Sequence, residues 1–417
     1  MEEGKTCSLT ASAKRSRLSD MNILIADKLS SSAVSALEKL GAKVTVNSEL
    51  SAETLPGALK DVEVLIVRST KVTAAAIQAA PALSLIIRAG AGVNTIDLAA
   101  ANERGIHVAN CPGKNNDAVA ELAIGLMIAA DRRIADAAGE LRAGKWSKGE
   151  FGKARGLKGR TLGIIGLGSI GRAVAGIARA MDMKVVAWSR SLTEAQAAEQ
   201  DIGFCATPLD VAIVADAVSV HVAGSKETFH LIGKDFFALM KKGTIFINTS
   251  RGDVVDTDAL KAAAKEKGIR FALDVFEDEP AGGSGPFADV ALAAAGTCTP
   301  HIGASTDQAS EAIADEVVNI VRSYRDSGKP LNTVNVRAKS TATIGLVVRH
   351  HNKVGVLASV LDELRGEGVN IEEMENMIFE GGMTASCTLL LDDKPSEAAL
   401  ANLRKNPVII QVSLKCS

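Results

Sequence analysis

The sequence predicts an α/β protein of two doubly wound parallel-sheet lobes, the first of them discontinuous, followed by a small ferredoxin-like module. Short apolar runs alternate with amphipathic stretches from Met21 to about Pro112 and again from Thr161 to about His301, the pattern of parallel sheets covered by helices on both faces. One of those runs, TLGIIG, leads into glycines at Gly-x-Gly-x-x-Gly spacing and then a helical segment. After about residue 342 the order changes to β-α-β-β-α-β, that of a split βαβ module.

A chain of 417 residues suits two or three domains, and with 47% hydrophobic residues and a formal charge of −2 it shows no excess that points to nucleic acid. The first 20 residues are polar and rich in Ser, Lys and Arg, so a disordered extension is expected; Glu2 and Glu3 argue against a transit peptide. Residues 21–115 carry the first set of strands, MNILIAD, AKVTVN, VEVLIVRS, LSLIIRAGAG and IHVANCPG, with helical stretches between them. A helical run from about Asn116 to Arg142 opens the second lobe, residues 116–301, whose strand ends read KVVAW, AVSVHV, GTIFINTS, IRFALDVF and GTCTP. A helix from Ala304 to about Gly328 then brings the chain back, so that residues 302–335 complete the first lobe and leave a cleft between the two. The linker LNTVNVRAKS leads to the last module, 342–417.

The glycine turn has the outline of a dinucleotide site, which the doubly wound Rossmann arrangement builds at this point. Gly166 allows the tight turn, Gly168 lets backbone approach a pyrophosphate, and Gly171 permits close helix packing. Ser169 and Ile170 open the helix, whose N-terminal amides attract phosphate. An NAD site usually places an acidic residue about 20 positions on, at the end of the second strand. Here that strand ends Trp188-Ser189-Arg190, which leans toward NADP, whose 2′-phosphate an arginine can accommodate; the alternative is a solvated Arg190 beside a Ser189 that tolerates NAD.

Three further residues follow strands of the same lobe: Arg251 after GTIFINTS, Glu279 after FALDVFED and His301 after GTCTP. Ligands of open α/β sheets bind outside the carboxyl ends of strands, so all three could face one crevice. Each alone reads equally as a loop or turn residue; their joint placement fits hydride transfer from a 2-hydroxy acid. Histidine takes the hydroxyl proton, a carboxylate supports it, and arginine holds the substrate carboxylate through its fork. The six cysteines, Cys7, Cys111, Cys205, Cys298, Cys387 and Cys416, are scattered without Cys-x-x-Cys spacing, so reduced thiols and no metal site are expected. No apolar run is long enough to span a bilayer, and a cytoplasmic protein without membrane or nucleic-acid partners is expected.

NTSRGDVVD, LDVFEDEP and TPHIGAST, together with GLGSIG, resemble the signature segments of the D-isomer-specific 2-hydroxyacid dehydrogenases from Met21 to about Asn335. The resemblance implies that Arg251 binds substrate, Glu279 partners His301 as acid/base, and Asp274 holds the nicotinamide carboxamide. It places Val222, Thr249, Ser250, Gly303 and Ala304 with the glycine turn around NAD or NADP. VRSTKVT and RAGAGVNTIDL resemble the branch of the family that oxidises 3-phospho-D-glycerate, and the tail resembles an ACT module. That implies Arg68 and Arg88 as cations for a small phosphorylated substrate, with Ala91, Gly92 and Asn94 bordering the cleft. In RHHNKVGVLASV and beyond, His350, Asn352 and Asn370 match positions that bind serine in feedback-regulated relatives, although Val354 replaces a common proline and His351 has no assigned role. Serine as effector and a purely structural or oligomerising module are both open, and the family implies a homo-oligomer, dimer or tetramer. A glyoxylate or hydroxypyruvate reductase on the same scaffold and a non-catalytic, corepressor-like dinucleotide sensor are the rival readings.

Overall fold

A computed structural model describes residues 21–280, 285–337 and 340–416. The expected N-terminal extension and Cys7 lie outside the described residues. The chain divides into two compact units after Asn335.

The first unit contains two parallel sheets. Strands β1 (Asn22–Ile25), β2 (Lys43–Val46), β3 (Val64–Val67), β4 (Leu85–Arg88) and β5 (His107–Asn110) form a sheet in the order β2-β1-β3-β4-β5. All four residues of β3 are buried, which explains its uninterrupted VLIV. One face packs on the Ser31–Lys39 and Asp307–Ser327 helices through Leu37, Ile313, Val317 and Ile320; the other buries Leu55, Leu59, Ile77 and Ala101. The chain therefore returns to its first sheet after leaving the second. The returning helix starts at Asp307 rather than Ala304, because the Thr306 hydroxyl accepts the Ala309 N–H and caps it there. The helix expected between β2 and β3 is only a 3-10 turn, Leu55–Ala58, begun by Pro56 and softened by Gly57.

The second sheet comprises β6 (Thr161–Ile165), β7 (Lys184–Trp188), β8 (Gly203–Phe204), β9 (Ala217–Val220), β10 (Ile245–Asn248), β11 (Arg270–Leu273) and β12 (Thr297–Cys298). Its order, β12-β11-β10-β9-β6-β7-β8, reverses direction between β6 and β9, so a crevice opens at their carboxyl ends. The expected helix from Asn116 to Arg142 is two helices. Asn116–Arg132 buries Ala120, Ala123, Ile124 and Met127 against this sheet, Arg133 turns left-handed at φ 52°, and Ile134–Arg142 continues without a buried residue. The break sits beside an anchor: Asp131 is buried and accepts from the Gly156 N–H and Arg160, while Arg133 turns outward to Asp136 and Glu150.

The second unit is a four-stranded antiparallel sheet, β13 (Ile344–His351), β14 (Ile371–Ile378), β15 (Thr384–Leu391) and β16 (Ile409–Cys416), in the order β14-β15-β13-β16. Helices Val356–Gly366 and Glu397–Lys405 bring Val360, Leu364, Leu400 and Leu403 into one core with Leu346, Val348, Leu389 and Leu391, giving the ferredoxin-like order. Among the described residues no helix is long and apolar enough to cross a membrane.

Candidate active site

At the switch point β6 runs into Gly166, whose φ of 98° favours glycine. A Cβ there would stand 2.8 Å from the carbonyl of His221 and from Val222 Cγ1, so the turn needs glycine twice over. A Cβ on Gly171 would fall onto the Gly166 carbonyl oxygen, whereas the space around Gly168 is open. Gly168 is the N-cap of the Ser169–Ala180 helix, and no side chain caps its first amides. Those amides and the positive end of the helix dipole face the open side of the turn. Two buried polar atoms at the carboxyl ends of the neighbouring strands have no protein partner: His221 Nδ1 after β9 and Thr249 Oγ1 after β10. Burial pushes the His221 imidazole down to about 4, and its Nε2 pairs with the Ser219 hydroxyl at 2.8 Å. A bare helix start, an open glycine and orphaned polar atoms fit a bound dinucleotide. Ser189 and Arg190 follow β7, with Arg190 exposed.

Arg251 is held from both lobes. Asn248, the last residue of β10, donates its amide to the Arg251 carbonyl at 2.8 Å and accepts from the Ser250 N–H and hydroxyl, folding Thr249–Arg251 into a tight turn. A Cβ on Gly224 would stand 3.0 Å from Arg251 Cγ, and one on Gly92 would stand 2.5 Å from Nη2 and 3.2 Å from Asn94 Oδ1. The side chain thus threads between a glycine of each lobe. Ala91, next to it, accepts a hydrogen bond from Asn110 at 2.6 Å.

Two more arginines lie nearby, with Arg88 feeling the charge of both Arg251 and Arg68. One oxygen of Asp27, after β1, accepts the N–H groups of Arg68, Ser69 and Thr70 at 2.6, 3.1 and 3.1 Å, which fixes the loop carrying Arg68. Arg88 ends β4, and its guanidinium lies where a Cβ of Gly90 would be. Its Nε is buried without a partner. Burial first, then the positive charges of Arg251 and Arg68, push the Arg88 guanidinium below its ordinary range. This is a pocket of excess positive charge at the lobe junction.

Opposite stands the His301–Glu279 pair, with His301 Nδ1 2.7 Å from Glu279 Oε2. Burial, the largest single influence, pushes the Glu279 carboxyl up, but the hydrogen bond and charge of His301, the Phe276 N–H and Arg251 outweigh it and hold the carboxyl below the usual range. His301 has φ 52°, a conformation unusual for a non-glycine residue, and Asp274 maintains it. The Asp274 carbonyl accepts the His301 N–H at 2.8 Å, while its buried carboxylate accepts the Thr299 hydroxyl and the N–H groups of Ile302 and Gly303. Asp274, expected beside the nicotinamide, is seen clamping the histidine loop, with Ala304 next along that loop.

The structure thus gathers the glycine turn, Arg68, Arg88, Arg251, Glu279 and His301 at one crevice. The tail residues have separate partners in their own unit. His350 is buried with Nδ1 on the His351 carbonyl and Nε2 facing Asn376, Asn352 donates to the Gly382 carbonyl, and the Asn370 N–H donates to Asp392. Sequence reasoning missed Asp27, Asn248, His221 and Gly224. Asp27 and Asn248 carried a signal, a short polar residue at a strand's carboxyl end; Gly224 carried none. Among the described residues no group of three or more His, Cys, Asp or Glu could hold a metal ion.

Residues 124–303 match the family described as D-isomer specific 2-hydroxyacid dehydrogenase, NAD binding domain. The chain is 36% identical over 374 residues to the D-3-phosphoglycerate dehydrogenase of Methanocaldococcus jannaschii, covering 89% of this chain and 70% of that one. It is 40% identical over 324 residues to that of Archaeoglobus fulgidus, covering 76% of this chain but only 59% of the relative. The glyoxylate reductase of Thermococcus litoralis is 40% identical over 288 residues, 66% of this chain and 85% of that one. The solved structure of NAD+-bound 3-phosphoglycerate dehydrogenase from Entamoeba histolytica aligns with a TM-score of 0.64 at 27% identity, over 76% of this chain and 99% of that one. A nicotinamide-dependent dehydrogenase by these matches, the chain belongs to the D-isomer-specific 2-hydroxyacid dehydrogenase family.

Proposed function

We propose that the chain oxidises 3-phospho-D-glycerate to 3-phosphooxypyruvate, the entry step to serine. The observation that carries this reading is the convergence of Arg68, Arg88 and Arg251, with Arg88 Nε buried and unpartnered. A simple hydroxy acid brings one carboxylate, whereas a phosphorylated one brings two anionic groups and matches a pocket with several cations. The names of the phosphoglycerate dehydrogenases among the relatives point the same way.

The Gly166–Gly171 turn, with Val222, Thr249 and Ser250, would hold the dinucleotide, whose nicotinamide supplies the hydride acceptor when bound. His301 takes the C2 hydroxyl proton at Nε2, because Nδ1 is turned to Glu279 and fixes the tautomer. Glu279 stabilises the imidazolium that results. Arg251 holds the substrate carboxylate and polarises the developing carbonyl. In this reading residues 21–115 with 302–335 bind substrate, 116–301 bind cofactor, and the C-terminal module is an ACT domain of a cytoplasmic homo-oligomer; its role is structural or oligomerising, the alternative being serine as effector through His350, Asn352 and Asn370.

A second reading, an NADP-dependent glyoxylate or hydroxypyruvate reductase, is favoured by Ser189-Arg190, which lacks the ribose-binding carboxylate. Steady-state rates with 3-phospho-D-glycerate, hydroxypyruvate and glyoxylate, using each cofactor with and without serine, test both. The phosphoglycerate reading expects the highest kcat/KM with 3-phospho-D-glycerate. Faster hydroxypyruvate or glyoxylate reduction would select the reductase, and no turnover with any substrate would leave a dinucleotide sensor.

A further inference from the structure

The described residues contain a second histidine–glutamate pair, whose glutamate stands two positions before Glu279. His230 Nε2 lies 2.6 Å from Glu277 Oε1, and Glu277 Oε2 accepts the N–H of Thr257, the first residue of the Thr257–Lys267 helix. We propose that His230 and Glu277 form a latch that positions Glu279, and through it His301, for proton transfer. The inference rests on the reading of Glu279 and His301 given above.

The argument is geometric. The segment Phe276–Glu279 is held by two histidines: Glu277 by His230, Glu279 by His301. The Phe276 N–H, one residue before Glu277, donates to Glu279 Oε1 at 3.1 Å, so a shift of Phe276–Glu277 moves the Glu279 carboxylate directly. The same segment leans on the arginine loop, since a Cβ on Gly252 would overlap the Phe276 carbonyl and the Glu277 nitrogen. His230 is itself tied to that loop. Its N–H donates to the Asp253 carbonyl at 2.9 Å, its φ is 50°, and its ring stacks on Phe229 at 4.0 Å. It also ends the loop after β9 that holds Val222 and Gly224, which border the glycine turn and Arg251. One carboxylate thus joins the cofactor-side loop, the start of a helix and the segment bearing the catalytic carboxylate. A pair serving only to close a surface loop would not need to reach into that segment. The side chains of His230 and Glu277 bond to each other and to the Thr257 N–H and not to the substrate-facing groups, so both are positioning residues.

The test is a mutant cycle read in the oxidation of 3-phospho-D-glycerate or the reduction of hydroxypyruvate, whichever the wild type turns over faster. His230→Ala should lower kcat about tenfold, the scale of losing an outer hydrogen-bond partner or a small misplacement of a reacting group, with KM and the NADH dissociation constant changed less than about twofold. His230→Gln, which keeps a donor at similar reach, should recover most of that loss. In a Glu279→Gln background His230→Ala should cost nothing further, because the residue through which it acts is already disabled. If His230→Ala multiplies the Glu279→Gln loss by the same tenfold, or lowers kcat only in step with the melting temperature, the latch is overturned. If Glu279→Gln alone turns over like wild type, the catalytic reading falls and the latch with it.

Discussion

Arg88→Met separates binding from folding, because the two should move in opposite directions. Arg88 is a half-buried cation whose Nε is buried without a partner, near Arg251 and Arg68. Methionine fills a similar length without the charge or the orphaned nitrogen. Two like charges about 5 Å apart interact by about 3 kcal/mol at an effective dielectric near 20, and partial solvent access reduces this to about 1 kcal/mol or less. Relief of that repulsion, offset by some lost packing, should leave the melting temperature unchanged or raise it by about 1–3 °C. With a substrate dianion present the sign reverses. Losing a cation at similar distance from it costs about 1.5–2 kcal/mol, or about 10- to 30-fold in kcat/KM for 3-phospho-D-glycerate. D-Glycerate, which lacks the phosphate, should lose less. Thermal unfolding of the ligand-free variant and kcat/KM for the two substrates decide the matter. Unchanged kcat/KM for the phosphorylated substrate, or a loss of activity that tracks a falling melting temperature, would refute the reasoning.

Glu279 predicts a pH dependence. Its carboxyl is held below the usual range in the folded chain, so its contribution to stability is complete above the unfolded value of about 4.3 and disappears as pH falls through the lower folded one. The gap in melting temperature between wild type and Glu279→Gln should therefore be constant near neutrality and close on acidification below about pH 4; a gap that widens there would contradict it. Gly171→Ala drives a Cβ onto the Gly166 carbonyl and should weaken NADH binding at least about tenfold in a fluorescence titration, with an accompanying loss of stability. Arg190→Ala should raise KM for NADP about tenfold and leave NAD nearly unchanged, the size expected for one exposed arginine–phosphate contact; equal effects on both would show that Arg190 does not hold a 2′-phosphate.

Much of this site was legible because each functional group ends a strand or sits in the loop that follows one. Periodicity located the strands, and the doubly wound rule then sends Arg251, Glu279 and His301 to one edge of the sheet. Local sequence could not show which side chains hold these in place. Asp27 lies 41 residues from the Arg68 N–H it accepts, and Gly224 matters only because Arg251 passes beside it. The break at Arg133 was illegible for the same reason. Asn116–Arg142 keeps helical composition throughout, and only the burial of Asp131 beneath Gly156 and Arg160 turns the chain. Leu55–Ala58 fell short of a helix for a local reason that Pro56 and Gly57 did signal.

The crevice is also where the fold departs from its own preferences. Arg88 Nε, His221 Nδ1 and Thr249 Oγ1 are buried without partners around it, and His301 holds a left-handed backbone. Three guanidinium groups approach one another where a folded chain left to itself would separate them. Each feature destabilises the free protein, by up to about 1–3 kcal/mol for an unpaired buried group or a strained backbone. The surrounding clamps run the other way: Asp27 gathers three N–H groups under Arg68, Asp274 fixes the His301 loop, and Asn248 folds the Arg251 turn. Orphaned polar atoms and crowded cations gain partners when an anionic dinucleotide and an anionic substrate enter, whereas the clamps gain nothing. Ligand binding should therefore raise the stability of the first unit by more than that of clamp-free surface loops, and the arginine pocket should contribute the larger share when the substrate carries phosphate.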